Sequence, residues 1–285
     1  MLPGRITALG LSSDAALAAA ALAARWLKRT RDAAGRLRQG SDGDALHDFR
    51  TSLRRLRVLL SSYRGPLGRA ATKTVRRRLK LLARSTNAAR DAEVWAQWLR
   101  GRPGARRATE AAALTKLRVH CEAARGRHKK RLLSHTLKRV YKIADELKRR
   151  LARVRGSKRR YGGEAARAIA KAARQMDRRF NVVRRGGAER DAHVARIRVK
   201  RLRYLLEPFA ARNSRARRIV VALQELQALL GELHDRHGLA AHIGRPAQAE
   251  ADRLERTLRQ AWLRPGLDRR LIADALAFSR ALKSR

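Results

Sequence analysis

The chain has 285 residues, with 70 lysines and arginines against 24 aspartates and glutamates, for a formal net charge of +46. Hydrophobic residues make up 44% of it, enough to bury a core, so the charge does not mean disorder; the length suits one large domain or two modest ones. Such an imbalance repels itself in a folded chain and points to a neutralising partner (DNA, RNA, an anionic membrane or inorganic polyphosphate) rather than to charge kept for solubility alone. The single cysteine, Cys121, excludes an intramolecular disulfide and a thiolate zinc cluster.

Residues 1–11 read as an N-terminal lead. The apolar run 15–24 follows Ser12-Ser13-Asp14 and runs into Arg25 and Lys28. It is too short to span a bilayer, and Asp14 interrupts it too early for a signal peptide, so a cytoplasmic protein without membrane insertion is expected. Strand patterns are missing, while Ala, Leu, Arg and Lys recur at helical spacing, which predicts an all-α fold. Ser12-Ser13-Asp14 caps a helix running to about residue 37, and the 39–44 turn opens another over 45–64 that Gly65-Pro66 stops. Helices are predicted near 70–85, 91–100, 105–126 and 128–155, with a break at Gly101 and Pro103.

The basic, glycine-rich stretch 156–163 reads as a linker between a first half, 12–155, and a second half, 164–285. A helix over 164–185, a Gly186-Gly187 break and a helix ended or kinked by Pro208 come next. Helices near 216–230, 235–243, 247–263 and 267–282 complete the chain.

One basic helix motif occurs twice. The first copy is His47-Asp48-Phe49-Arg50-Thr51-Ser52-Leu53-Arg54-Arg55-Leu56-Arg57. The second is His193-Val194-Ala195-Arg196-Ile197-Arg198-Val199-Lys200-Arg201-Leu202-Arg203, and His193 follows His47 by 146 residues. At about 100° per residue, His47, Arg50, Arg54 and Arg57 share a narrow sector beside a core stripe of Leu46, Phe49, Leu53, Leu56 and Leu60. His193, Arg196, Lys200 and Arg203 take the same places beside Ala195, Val199, Leu202 and Leu206.

Cations at this spacing repel one another by a few tenths of a kcal/mol per exposed pair, so the ridge suits chelation of successive anionic groups; arginine adds bidentate geometry for phosphate. The preceding helices carry Arg25 and Lys28, and Lys171 and Arg174, at the same 146-residue offset. A follower, Asn87-Ala88-Ala89-Arg90-Asp91, pairs with Gly231-Glu232-Leu233-His234-Asp235 at an offset of 144. Similar elements in one order at nearly constant offset indicate an internal duplication and two packed helical bundles.

A histidine, an arginine three residues on, then a basic-basic-Leu-Arg run, twice in a helical chain, resembles the CHAD family, the conserved-histidine α-helical domains. The likeness extends to 89–94 and 229–235 and covers the chain from about Ser12 onward. It implies two pseudo-symmetric four-helix bundles with basic surfaces facing a central cavity or groove. It also implies binding of inorganic polyphosphate and localisation to polyphosphate granules. Carried over by position, the binding residues are His47, Arg50, Arg54, Arg55 and Arg57, with His193, Arg196, Lys200, Arg201 and Arg203. The second half departs from the pattern, with His234 in the place of Arg90.

Other readings remain. Aromatic residues are only 4% of the chain, with Tyr63 and Tyr204 near the motifs, which disfavours the stacking platforms of single-stranded nucleic-acid binders. Non-specific duplex binding is purely electrostatic and stays open. His193, His234-Asp235 and Asp274 resemble the ligand order of metal-dependent phosphohydrolases, and His234, Asp235, His237 and His242 could form a metal cluster. The first half has no matching set, so Asp91 and Asp235 are expected to cap helix starts or pair with motif arginines, and no enzymatic activity, metal or cofactor is expected. No nucleotide-binding loop supports His47 as a phosphate-accepting nucleophile. A membrane-surface role lacks interfacial aromatic anchors.

Overall fold

The computed structural model describes residues 10–40, 44–100, 108–243 and 245–283, with no strand among them. By its contacts the chain divides into two compact units, Met1–Glu164 and Ala165–Arg285.

In the first unit α1 (Ala15–Gln39) packs along α2 (Ala45–Ser62) and α7 (Leu137–Ala152), and α4 (Lys73–Arg84) packs on α2 and α7 in turn. These helices enclose a core in which Leu46, Phe49, Leu53, Leu56 and Leu60 are all buried, as the α2 stripe predicts. Short α3 (Arg64–Leu67) and a 3-10 turn, Gly68–Ala71, lead into α4; α5 (Asn87–Arg100) packs against α6 (Ala108–Arg131). Asp14 caps α1 by accepting from the Ala16 and Leu17 amides at 2.8 and 3.0 Å, and Gly40 ends it at φ 78°, which a glycine adopts without strain. The segment after α7 folds onto this cap: the Ser157 amide also donates to Asp14, and Tyr161 stacks near Tyr63 at 5.9 Å.

The second unit is organised around α10 (Ser214–Ile243), which touches α9 (Glu189–Ala210), α11 (Arg245–Leu258) and α12 (Leu267–Lys283). Helix α8 (Tyr161–Arg184) reaches α9 through Arg198, which donates to Gln175 at 3.2 Å. It reaches α12 through Arg184, ion-paired to the fully buried Asp268. Ala195, Val199, Leu202 and Leu206 of α9 are fully buried, as their stripe predicts.

Several predicted boundaries need correction. No break falls at Gly126: α6 runs to Arg131 and passes through a wide π turn, Leu132–Thr136, into α7. The predicted helices 216–230 and 235–243 are one helix, α10. A glycine inside a helix costs about 1 kcal/mol against alanine. Burial of Leu223, Leu226, Leu230 and Leu233 on one stripe outweighs that at Gly231. Asp235 therefore lies mid-helix and Asp91 lies inside α5, so neither caps a helix start. Helix α2 ends at Ser62, and Gly65-Pro66 sits within α3 instead of stopping α2. Helix α8 begins at Tyr161, within the stretch read as linker; α9, by contrast, ends at Ala210, close after Pro208 as expected. The expected turn at 41–43 and the break at 101–103 lie outside the described residues.

Candidate functional site

In the first unit the ridge of α2 faces the junction between α4 and α5. Helix α4 ends because Ser85 and Thr86 turn their hydroxyls onto the carbonyls of Leu82 and Ala83, each at 2.9 Å. That break leaves Thr86 buried and Asn87 at the start of α5, both oriented towards α2. Arg50 donates to Thr86 Oγ1 at 2.6 Å and to Asn87 Oδ1 at 3.1 Å. Burial, then the Arg54 charge, lowers its pKa to about 10, with Arg90 acting in the same sense and Asp91 and Glu93 opposing. Arg57 is lowered by burial and by Arg54 and Arg84. Burial, then Arg90, lowers His47, which lies 3.5 Å from Thr51 Oγ1.

Of the acids here, Asp48 pairs with Arg36 and Glu93 with Arg90 at 3.3 Å, and Asp91 acts on Arg50 by its charge. The result is a crowded cationic cluster of Arg50, Arg54, Arg57, Arg84 and Arg90, with His47 at its head.

Arg55 belongs to another face. Its guanidinium lies 4.7 Å from the Trp26 ring centre, and Arg29 lies at the same distance from that ring. Arg25 and Arg55 both lower the Arg29 pKa, after burial, so α1 contributes to the Arg55 face. Lys28 pairs with Asp32 at 2.8 Å on the exposed side of α1.

In the second unit the α9 motif meets different chemistry. His193 and His234 meet Nδ1 to Nδ1 at 3.3 Å, with ring centres 4.4 Å apart. One nitrogen must donate and the other accept, so this contact holds at most one doubly protonated ring. Burial first, then Arg196, His193, Lys200 and His237, pushes His234 down to about 4. A side chain built on Gly231 would lie 3.7 Å from the Arg196 guanidinium, so Arg196 rests against the α10 backbone. Lys200 and Arg203 are only 8% exposed; Arg203 lies 3.6 Å from Glu207 and 4.9 Å from the Tyr204 ring centre.

A second basic face of α9 holds Arg198 and Arg201, both lowered by burial, with Arg178 and Arg179 of α8 acting on Arg198. Lys171 and Arg174 are exposed on α8, and among the described residues no hydrogen bond or ion pair ties them to α9.

Sequence reasoning therefore placed the ridges but missed Arg84, Arg29 and Arg178. In a chain with 70 basic residues no local signal singles them out; only packing does. Among the described residues no group of three or more His, Cys, Asp or Glu side chains could hold a metal ion, and the His242 side chain lies outside them. No described helix is long and apolar enough to cross a membrane.

An all-helical chain with strongly basic ridges beside its core stripes defines a class, and comparison with known proteins supplies the family. The CHAD domain family model matches residues 17–244, and the chain belongs to that family, which is linked to polyphosphate binding in general. Among solved structures it is similar to the crystal structure of the CHAD domain from the plant Ricinus communis. That match has a TM-score of 0.66 and 22% identity over 96% of each chain, which shows a shared fold. No curated protein matches the chain.

Proposed function

We propose that this protein binds inorganic polyphosphate without catalysis, through the ridges of α2 and α9, and that this binding attaches it to polyphosphate granules in the cytoplasm. The observation that carries the reading is the Arg50-Arg54-Arg57-Arg84-Arg90 cluster. It gathers five guanidiniums, with burial and then Arg54 lowering Arg50 to about 10 against the opposing charge of Asp91, and the nearby acids Asp48 and Glu93 are paired with arginines. A chain of phosphates answers that crowding with one oxyanion per guanidinium and needs no base recognition.

Nucleic acid is the second reading, and the aromatic residues speak against its single-stranded form. Tyr63 and Tyr204, near the two motifs, are 1% and 5% exposed, and Trp26 already lies against Arg29 and Arg55, so these three are covered or engaged.

The test is a competition titration of long polyphosphate against duplex DNA and RNA at equal phosphate concentration and physiological salt, with released phosphate followed in parallel. Polyphosphate should win, with affinity falling steeply as salt rises, and no phosphate should be released. Arg54→Glu/Arg57→Glu should weaken binding about 100-fold at unchanged helicity, taking roughly a tenfold loss per cation. DNA competing equally, or undiminished binding by that variant, contradicts the reading; chelator-sensitive phosphate release would restore the hydrolase alternative.

A further inference from the structure

The first unit has a cleft of about 620 Å³ away from the α2 ridge, between the end of α7 and the 3-10 turn before α4. Five arginines line it, Arg69, Arg149, Arg150, Arg153 and Arg155, against one acid, Glu146, and no lysine. Glu146 is already shared: it accepts from Arg78 and from Arg150 at 2.9 Å. Arg150 also donates to the Arg69 carbonyl at 3.0 Å, so it is fixed as part of the wall. The other four arginines are exposed, and none forms an ion pair among the described residues.

Arg149 and Arg150, in the last turn of α7, suit the negative end of its dipole. Arg69 and Arg155 lie off that helix, so the dipole does not account for them. Like charges converging on a concave wall repel in the empty protein and focus their field on an incoming anion. Guanidinium forks match phosphate oxygens two at a time. The volume falls within the range of about 300–1,000 Å³ typical of small-ligand sites.

We propose that this cleft is a second anion site of the first unit, taking a short run of a phosphate chain. The choice of phosphate chain rests on the polyphosphate reading; the site itself shares no residue with the α2 ridge.

Calorimetry of the whole protein with sodium tripolyphosphate at low salt tests it. The variants are Arg69→Glu/Arg153→Glu/Arg155→Glu, the ridge variant Arg54→Glu/Arg57→Glu, and a charge control of exposed residues, Arg118→Glu/Arg127→Glu/Lys138→Glu. The cleft variant should lose one equivalent of bound triphosphate and keep the ridge equivalent. The ridge variant should do the reverse, and the control should keep both. If circular dichroism shows the cleft variant unfolded, Arg153→Gln/Arg155→Gln is read in its place, with at least about a tenfold loss at one site expected. A cleft variant that binds like the control or the wild type overturns the proposal. A ridge variant that keeps every equivalent while the cleft variant loses one contradicts the ridge and leaves the cleft standing.

Discussion

The ridges of α2 and α9 carry the same motif, yet they meet different neighbours. Arg50 finds hydrogen-bond acceptors in Thr86 and Asn87, at a helix break. The matching positions on α10 are Leu230 and Gly231, inside an unbroken helix, and Arg196 lies against the glycine. Where the first unit sets Arg90, a permanent cation, the second sets His234, which stays neutral beside His193. Lys200 and Arg203 are nearly buried, while Arg54 and Arg57 are partly open. One helix pattern thus yields an open cationic ridge in one unit and a half-buried, titratable one in the other.

The largest test of that contrast is thermal stability after charge reversal. Lys200→Glu/Arg203→Glu should cost about 3–5 kcal/mol, because it buries carboxylates beside Glu207. Arg54→Glu/Arg57→Glu should change stability by only a few tenths of a kcal/mol, since it also relieves repulsion between neighbouring arginines. Equal losses in chemical denaturation would erase the distinction between open and buried ridge.

Next in size is Thr86→Val, which removes a buried acceptor from a charged donor and should cost about 1.5–3 kcal/mol. It should also leave Arg50 less firmly held, weakening polyphosphate binding along with stability. A neutral result would mean that the Thr86 contact does not organise the first ridge.

The histidine pair predicts a pH response in the second unit. The folded pKa of His234 is depressed to about 4, so the unfolded chain binds the proton first, and stability falls as pH drops from about 6.5 towards 4. A bound phosphate chain favours the protonated ring, so affinity should rise over that window, by about tenfold between pH 7 and pH 5. His234→Gln should flatten that profile without loss of affinity at pH 7. An unaltered profile in the variant assigns the proton to another group.

The smallest effect is Gly231→Ala. Its new methyl would sit in ordinary contact, 3.7 Å from Arg196, and a helix-interior alanine should add about 0.5–1 kcal/mol. Destabilisation would show that Arg196 needs closer approach to the α10 backbone than this geometry gives it.

Much of the fold was legible because it rests on local rules. The apolar stripes of α2 and α9, the Asp14 cap and the glycine exits at Gly40 and Gly186 depend on helix periodicity and on dihedral angles open to one residue type. The doubled motif carried the family as well. The helix breaks were harder: the pattern ends one helix near Ser85 and another near Leu230, yet the chain breaks at the first place and runs unbroken through Gly231 at the second. Side-chain hydroxyls closing on carbonyls end α4, while a continuous leucine stripe carries α10 through its glycine.

The amino-acid sequence establishes an all-helical, cation-rich chain whose doubled basic motif resembles the CHAD family, and the sector of each motif helix in which its cations lie. Tertiary structure alone decides what each cation is for. Arg55 stacks on Trp26, Arg50 is held by Thr86, Lys200 is buried, and Arg84 joins a ridge that its own sequence position does not announce. Periodicity is a property of one helix, whereas burial, pairing and pKa depend on which other helix lies against it, and that is set only by packing within each unit.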